Sequence, residues 1–147
     1  CRASSSMPLV SPMVNIDGIP YLDGGLADSI PIAHALKKGN EKIVVILTRN
    51  PGYRKKPVTK GLVKMYKRAY KSYPNLIRAM SLRNAKYNFQ CERIEQLERE
   101  GKIFVLRPLI PPVSRLEKDY NMLVNFYEHG YCLMKREYDR LMEYLEL

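Results

Sequence analysis

The sequence has no long hydrophobic run and few cysteines, and both shortages exclude classes of protein. The longest apolar runs, such as residues 43–47, fall far short of the roughly 20 residues that a membrane-spanning helix needs. Three cysteines, Cys1, Cys91 and Cys132, are an odd number at wide spacing, which favours reduced thiols over a disulfide framework. We therefore expect a cytoplasmic protein that can associate with a membrane only peripherally.

Acidic residues are missing from one long interval. No Asp or Glu lies between Glu41 and Glu92, where thirteen Lys and Arg occur, while the rest of the chain holds twelve basic and fifteen acidic residues. The formal charge of +10 therefore comes entirely from this interval. Positive charge concentrated in one segment favours an anionic partner, such as a lipid surface or a nucleic acid.

A β-hairpin is predicted near the start of the chain. Asp17-Gly18 lies between short apolar runs at 14–16 and 19–22, and Asp-Gly in that setting is a strong signal for a tight hairpin turn. The hairpin leads directly to Asp23-Gly24-Gly25. Two adjacent glycines end a strand and indicate a sharp turn or a close approach to another group.

A short helix and a buried strand are predicted next. Asp28 or Ser29 can cap a helix that has Pro31 in its first turn and ends at Gly39. The β-branched run at 42–47 is typical of a strand that is buried on both faces of a parallel sheet. Strand, helix and strand together predict a βαβ unit and an α/β fold.

The second part of the sequence is predicted to be mainly helical. Apolar residues recur at helical spacing over 60–73 with Lys and Arg between them, which indicates a basic amphipathic helix. A polar helical stretch then begins at Pro74 and ends at Gly101, and a strand follows at 102–107.

The last segment is predicted to be one long helix. Ser114 and Glu117 form a capping-box pattern at its start, and its apolar stripe should face the body of the protein. The stripe consists of Leu116, Tyr120, Leu123, Tyr127, Tyr131, Met134, Tyr138, Leu141 and Leu145.

Four short motifs near the start of the chain carry a family resemblance. In order, they are Ala3-Ser4-Ser5-Ser6-Met7-Pro8, Ile16-Asp17-Gly18, Tyr21-Leu22-Asp23-Gly24-Gly25 and Ser29-Ile30-Pro31. This ordered set resembles the second half of the catalytic domain of the patatin-like phospholipases, and the remainder resembles the C-terminal region of bacterial members. The resemblance implies that residues 1–48 end a three-layer α/β/α catalytic domain and that residues 49–147 form a C-terminal extension.

The same resemblance implies a serine lipid acyl hydrolase. The family's Asp-Gly-Gly or Asp-Gly-Ala motif supplies the acid of a Ser-Asp dyad, and it transfers here to Asp23, supported by Gly24 and Gly25. The serine of such an enzyme stands in a Gly-x-Ser-x-Gly turn, and no two glycines of this sequence are four positions apart. Because the chain also lacks the family's glycine-rich oxyanion loop and begins at Cys1, we expect a fragment that is inactive by itself.

The expected partners follow from the lipid substrate and from the charge. The substrate would be a lipid or another acyl ester. No cofactor or metal is expected, because the His129–Cys132 pair has no second pair of ligands at matching spacing. His34 follows Asp23 closely enough to suggest a triad, but the family pattern uses no histidine, so we expect a structural role for it. The cations interpreted as an anionic membrane contact are Lys55, Lys56, Lys60, Lys64, Lys67, Arg68 and Lys71.

Three alternatives stay open at this point. The basic interval also contains Tyr53, Tyr66, Tyr70 and Tyr73, which suits a nucleic-acid-binding module, although we consider nucleic acid the less favoured partner. The cations can equally form a solvated face balanced by acidic side chains of the final helix, and the site can be a degenerate one without activity. An unpaired sheet edge in such a fragment would favour self-association.

Overall fold

The computed structural model describes residues 1–114 and 116–146, and within them the chain is mixed α/β. The part described contains two small sheets, four α-helices and two short 3₁₀ turns. In chain order these elements are a 3₁₀ turn at Ala3–Ser5, β1 at Val14–Ile16, β2 at Ile19–Tyr21, a 3₁₀ turn at Gly24–Leu26, α1 at Ile32–Lys37, β3 at Val44–Ile46, α2 at Lys60–Ala69, α3 at Pro74–Arg99, β4 at Phe104–Leu106 and α4 at Tyr120–Leu145.

The predicted hairpin is confirmed. Strands β1 and β2 pair antiparallel, with Ile16 opposite Ile19 across the turn. The turn residues Asp17 and Gly18 have φ values of +51° and +80°. A two-residue turn with both φ values positive matches the right-handed twist of the flanking strands, and Asp-Gly adopts it at low cost.

A parallel pair of strands is present, but it is not the predicted one. Strand β3 pairs in parallel with β4, and β2 pairs only with β1, so the predicted βαβ unit of β2, α1 and β3 is wrong. The crossover between the two parallel strands instead contains α2 and α3. Parallel strands require a long connection, which a local pattern of strand, helix and strand does not specify.

Strand β3 is also less buried than its sequence predicts. Val45 is 8% exposed, whereas Val44 is 37% and Ile46 is 74% exposed. The prediction that this strand is buried on both faces is therefore wrong. A continuous β-branched run shows that a strand can be buried, not that it is. In this two-stranded sheet, only one position of β3 is buried.

Helix α3 begins and ends as the sequence predicts, whereas α2 ends at Ala69 and not at residue 73, where the predicted helical pattern ends. The Thr59 side chain accepts a hydrogen bond from the amide of Leu62 and caps α2. Helix α3 has Pro74 at its first position, where the missing N–H costs nothing. At its end Gly101, with φ of +69°, and Lys102 donate their amides back into the last turn, which is a Schellman motif.

Helix α1 ends as predicted but begins differently. Gly39 has φ of +75° just beyond the helix, consistent with the predicted terminator. The two predicted capping residues make other contacts, because the Ser29 hydroxyl donates to the carbonyl of Gly25 and the Asp28 carboxylate accepts from the amide of Gln90. The first helical residue is Ile32.

Helix α4 starts later than the capping-box pattern predicts. The Asp119 carboxylate accepts from the amides of Asn121 and Met122 and caps the helix. Ser114 instead accepts from the amide of Leu116, which lies before the helix. The predicted start at Ser114 and Glu117 is wrong, since an Asp directly before the helical run satisfies two amides that the more distant serine does not reach.

The face of α4 that contacts the protein coincides only in part with the predicted stripe. Tyr120 and Tyr127 of that stripe are 75% and 72% exposed, so the prediction that they face the body of the protein is wrong. Its members Met134, Leu141 and Leu145 are half-buried, as predicted. The half-buried positions include Phe126, Leu133 and Tyr144. The Tyr144 hydroxyl accepts from the amide of Ile43 at 3.0 Å, which anchors the end of the helix beside strand β3.

Two compact units divide the chain. The first contains Cys1–Ile32 and Arg54–Glu92, and the second contains Ala33–Tyr53 and Arg93–Leu147. Buried apolar residues of the first unit are Leu26, Ile32, Met80, Tyr87 and Cys91, and those of the second are Ile43, Val45, Ile94, Leu97, Ile103, Phe104 and Leu106. The division of the sequence after residue 48 and the three-layer arrangement stay predictions.

Removing a fully buried side chain should show how much the second core contributes. Ile94 is 0% exposed, so Ile94→Ala should lower the free energy of unfolding by about 2–5 kcal/mol, through lost burial and a residual cavity. Urea denaturation followed by circular dichroism measures this change. Ile19→Ala, at a position that is 56% exposed, is the matched control and should cost less than about 1 kcal/mol. Equal losses for the two variants would contradict the assignment of the core.

Candidate functional site

The position of Asp23 is set by hydrogen bonds on both its backbone and its side chain. Asp23 directly precedes the 3₁₀ turn Gly24–Leu26, and its Oδ1 accepts a hydrogen bond of 2.9 Å from the amide of Gly25. Its own amide donates to the carbonyl of Ser6 at 3.0 Å. Since Ser6 is buried, the carboxylate is held by a turn that is itself fastened to the interior of the first unit.

A second group of contacts converges on Gly25. Its carbonyl accepts from Nε of Arg83 at 3.0 Å and from the hydroxyl of Ser29 at 2.8 Å. A methyl group placed on Gly25 would lie 3.4 Å from Oδ1 of Asp23 and 3.7 Å from Nη2 of Arg83. The Arg83 guanidinium therefore lies on the same side of the loop as the Asp23 carboxylate and brings a positive charge to it.

Sequence reasoning missed Arg83. It lies on α3, 58 positions after Gly25, in a stretch that the pattern identified only as a polar helix. No local motif connects an arginine in a helix to a loop so far away. An apolar stripe of Met80, Tyr87 and Cys91, spaced at about two and three helical turns, is the only sequence signal that would have indicated which face of α3 points inward.

The two glycines are not required by crowding within the described residues. Neither Gly24 nor Gly25 has a positive φ. A side-chain carbon at Gly24 would meet nothing within 4 Å, and one at Gly25 would make only ordinary contacts. The sharp turn that the sequence predicts is present as the 3₁₀ turn. No other part of the described chain approaches Gly24 or Gly25 so closely that a side-chain carbon would not fit there.

The hydroxyl groups of the serines near this loop donate hydrogen bonds to backbone carbonyls. Ser5 donates to the carbonyl of Cys1, Ser6 to that of Arg2 and Ser29 to that of Gly25. A hydroxyl whose proton is directed at a carbonyl is not activated by a carboxylate base. These three serines therefore do not form a nucleophile with Asp23.

The predicted basic contact residues are mostly exposed. Lys55 is the exception, because it is half-buried and its ammonium lies 3.8 Å from the ring centroid of Tyr87. Within residues 1–114 and 116–146, none of the exposed members of this predicted contact set takes part in an ion pair. The exposed set is Lys56, Lys60, Lys64, Lys67, Arg68 and Lys71.

Four of these cations share one face of α2, and a fifth, Lys71, lies in the turn that follows it. At about 100° per residue, Lys60, Lys64, Lys67 and Arg68 fall within an arc of about 100°. The opposite side carries Leu62 and Tyr66, which are half-buried. The helix is thus amphipathic, with its charged face in solvent.

The remaining predicted polar candidates do not assemble into a site. His129 accepts a hydrogen bond from the amide of Leu109 at 3.0 Å, and His34 and Cys132 are exposed. Over the described ranges no group of three or more His, Cys, Asp or Glu side chains is arranged to hold a metal ion. In the same ranges, no helix has both the length and the apolar character needed to cross a bilayer.

Comparison with known families assigns the second half of the chain. A family model described as a domain of unknown function, DUF6363, matches residues 73–146, just over half of the 147 residues. The chain belongs to the DUF6363 family. The DUF6363 match contains α3, β4 and α4.

The start of the chain matches a second family model, and a bacterial protein shares part of the sequence. The model described as patatin-like phospholipase matches residues 1–36, which include Asp23 and the loop around it. The uncharacterized protein YjjU of Escherichia coli strain K12 is 46% identical over 48 residues, which are 32% of this chain. The match spans 13% of the length of that relative.

Two substitutions at Asp23 should separate the structural role of its side chain from its charge. Asparagine keeps an oxygen that can accept from the Gly25 amide, so Asp23→Asn should change the free energy of unfolding by less than about 0.5 kcal/mol. Asp23→Ala removes the acceptor and should cost about 1 kcal/mol. Urea denaturation of the 147-residue chain compares them, and equal destabilisation by both would show that this hydrogen bond does not hold the loop.

Proposed function

We propose that Asp23 is the carboxylate of a Ser-Asp dyad in a lipid acyl hydrolase, and that this chain is the later part of that enzyme. The proposal is carried by one observation: the residues that match a patatin-like phospholipase model include an Asp-Gly-Gly loop that holds its carboxylate in a defined position. The serine nucleophile and the oxyanion loop would come from sequence outside residues 1–147.

In this mechanism the carboxylate takes the proton of the serine as the serine attacks the acyl carbonyl. The alcohol of the ester leaves with that proton as the acyl group is transferred to the serine. Water then attacks the acyl-serine with the same carboxylate as base, which releases the carboxylic acid and restores the serine hydroxyl. Because a carboxylate is a weak base for an alcohol, its position relative to the hydroxyl has to supply much of the advantage. The Asp23 carboxylate accepts a hydrogen bond from the Gly25 amide, and the Asp23 amide donates one to the Ser6 carbonyl. These two bonds suit this requirement, since they hold both the side chain and the backbone of Asp23.

Loss of basicity at Asp23 should abolish most of the chemistry without unfolding the protein. In the complete protein, Asp23→Asn should lower the rate of ester hydrolysis by about a hundred- to ten-thousand-fold, the range that general-base catalysis usually contributes. A short-chain ester assayed with the full-length wild type and variant measures this effect, and substrate binding should persist. Near wild-type turnover in Asp23→Asn would place the chemistry on another residue.

The neighbouring aspartates provide matched controls. Asp17 has φ of +51°, a conformation that asparagine adopts readily, and Asp28 accepts from Gln90, which an asparagine oxygen also can do. Asp17→Asn and Asp28→Asn should therefore leave turnover within about threefold. The 147-residue chain assayed alone should show no esterase activity, and activity in it would contradict the proposed location of the serine.

We propose further that the charged face of α2 binds anionic lipid. The four cations that share this face and Lys71 in the following turn are exposed, and no ion pair within the described residues neutralises them. Each Lys or Arg close to an anionic leaflet contributes about 1 kcal/mol of attraction. An enzyme acting on lipids would gain from such a surface, because it would concentrate the protein where its substrate lies.

Removing four of these charges should weaken vesicle binding. The combined variant Lys60→Gln, Lys64→Gln, Lys67→Gln and Lys71→Gln should bind vesicles with about 30% anionic lipid at least about tenfold more weakly than the wild type. Sedimentation with anionic and with neutral vesicles, at low and at high salt, measures the effect. Wild-type binding should fall as salt is raised, because ions screen the attraction.

A second combined variant controls for net charge. Substitution of Lys37, Lys38, Lys118 and Lys135 by glutamine removes the same number of charges elsewhere in the chain, and it should leave vesicle binding within about twofold. Equal losses in the two variants, or equal wild-type binding to neutral and anionic vesicles, would overturn the membrane proposal. Tighter binding to single-stranded nucleic acid than to anionic vesicles would favour the nucleic-acid module instead.

A further inference from the structure

A cavity of about 220 Å³ lies within the second unit, where the two parallel strands end. Ile46 and Leu106 line it at the last positions of β3 and β4, and the residues directly after them complete that side. The opposite wall is formed by α4. In parallel α/β sheets, ligands bind beyond the carboxyl ends of the strands, and this cavity has that location.

The wall of the cavity is almost entirely hydrocarbon. The side chains that α4 contributes include Phe126, Leu133 and Met134. The polar groups of two other lining residues are directed to partners, since Nε2 of His129 accepts from the amide of Leu109 and the Arg107 guanidinium pairs with the Glu98 carboxylate. Water finds few hydrogen-bond partners along such a wall, so an apolar group can take its place at little cost.

Gly130 makes room for this cavity. It lies in the interior of the 26-residue helix α4 and lines the space. Glycine is less favourable than almost any other residue inside a helix, and a side-chain carbon built on Gly130 would meet no atom within 4 Å. The absence of a side chain here is thus not forced by packing, and its effect is to leave the cavity open.

The volume of the cavity and its opening to solvent limit which ligands can bind in it. An engineered apolar cavity of about 150 Å³ binds benzene, so a space of about 220 Å³ accepts a longer apolar group but not two lipid tails. Ile46, which lines the cavity, is 74% exposed, so the space opens to solvent beside it. A ligand can therefore place an apolar chain inside and keep a charged end group, such as a carboxylate, in water, which is the arrangement of a single fatty-acid anion.

We propose that this cavity binds the unbranched chain of a single fatty-acid anion, with its carboxylate at the open side. The site lies within the second unit and is formed by residues that follow β3 and β4 and by α4. It goes beyond the proposed hydrolase function and does not depend on Asp23. Burial of the chain supplies the binding free energy, so affinity should increase with chain length until the cavity is full.

Isothermal titration of the 147-residue chain with decanoate tests the proposal. We expect saturable binding of one decanoate per chain, and we expect butyrate, which has the same carboxylate and a shorter chain, to bind at least about a hundredfold more weakly. No saturable binding of decanoate would overturn the proposal. Equal affinity for butyrate would also overturn it, since the carboxylate alone would then be recognised at the basic surface.

Gly130→Leu fills the cavity and should weaken decanoate binding at least about tenfold. Leucine is the better helix former, so the thermal midpoint of unfolding should stay the same or rise, and lost binding cannot then be attributed to unfolding. Gly61→Leu is the matched control, because Gly61 is also helical, has open space within 4 Å of where its side-chain carbon would lie, and belongs to the first unit. Wild-type affinity in Gly130→Leu, or an equal loss in Gly61→Leu, would exclude the cavity as the site.

The same titration separates this proposal from the hydrolase proposal. Asp23→Asn should bind decanoate with an affinity within about twofold of the wild type. A complete protein that hydrolyses esters but does not bind decanoate at this cavity would contradict the fatty-acid site alone. Decanoate binding without Asp23-dependent hydrolysis would contradict the hydrolase proposal alone.

Discussion

The burial of one face of helix α3 is the constraint on which both units depend. Met80, Tyr87 and Cys91 are buried in the first unit, and Ile94 and Leu97 in the second. A helix in water owes most of its stability to such packing rather than to its intrinsic propensity. The Schellman turn that ends α3 at Gly101 then directs the chain into β4, so the parallel pairing with β3 requires that the helix end where it does.

The Asp-Gly-Gly loop is held both by contacts between sequence neighbours and by contacts between residues far apart in the sequence. The bond from the Gly25 amide to the Asp23 carboxylate spans two positions and forms wherever the chain makes this turn. The contacts with Ser6 and Arg83 join residues that are far apart in sequence. A carboxylate that is to act as a base needs both, because a local turn defines its shape whereas distant partners keep that shape in one place.

Charge is distributed differently in the two units. In the second unit several cations are paired with acidic residues, as in the Lys42–Glu146 and Arg107–Glu98 pairs. In the first unit the charged face of α2 has no such partners among the described residues. This uneven distribution of charge is the basis for proposing an anionic-lipid contact only in the unit that contains Asp23, whereas the apolar cavity lies in the unit that contains most of the DUF6363 match.

The sequence by itself determined the features that depend on residues within about four positions of one another. The Asp17-Gly18 hairpin, the Pro74 start and Gly101 end of α3, and the Asp23 loop all follow from local backbone preferences and local hydrogen bonds. Only the tertiary structure decided which strands pair, since a β-branched run is compatible with any partner and with different degrees of burial. It likewise decided which face of α4 packs against the strands, because tyrosine and leucine occur on more than one side of that helix. The contact between Arg83 and Gly25 was also decided by the tertiary structure, since it exists only when two distant segments are brought together.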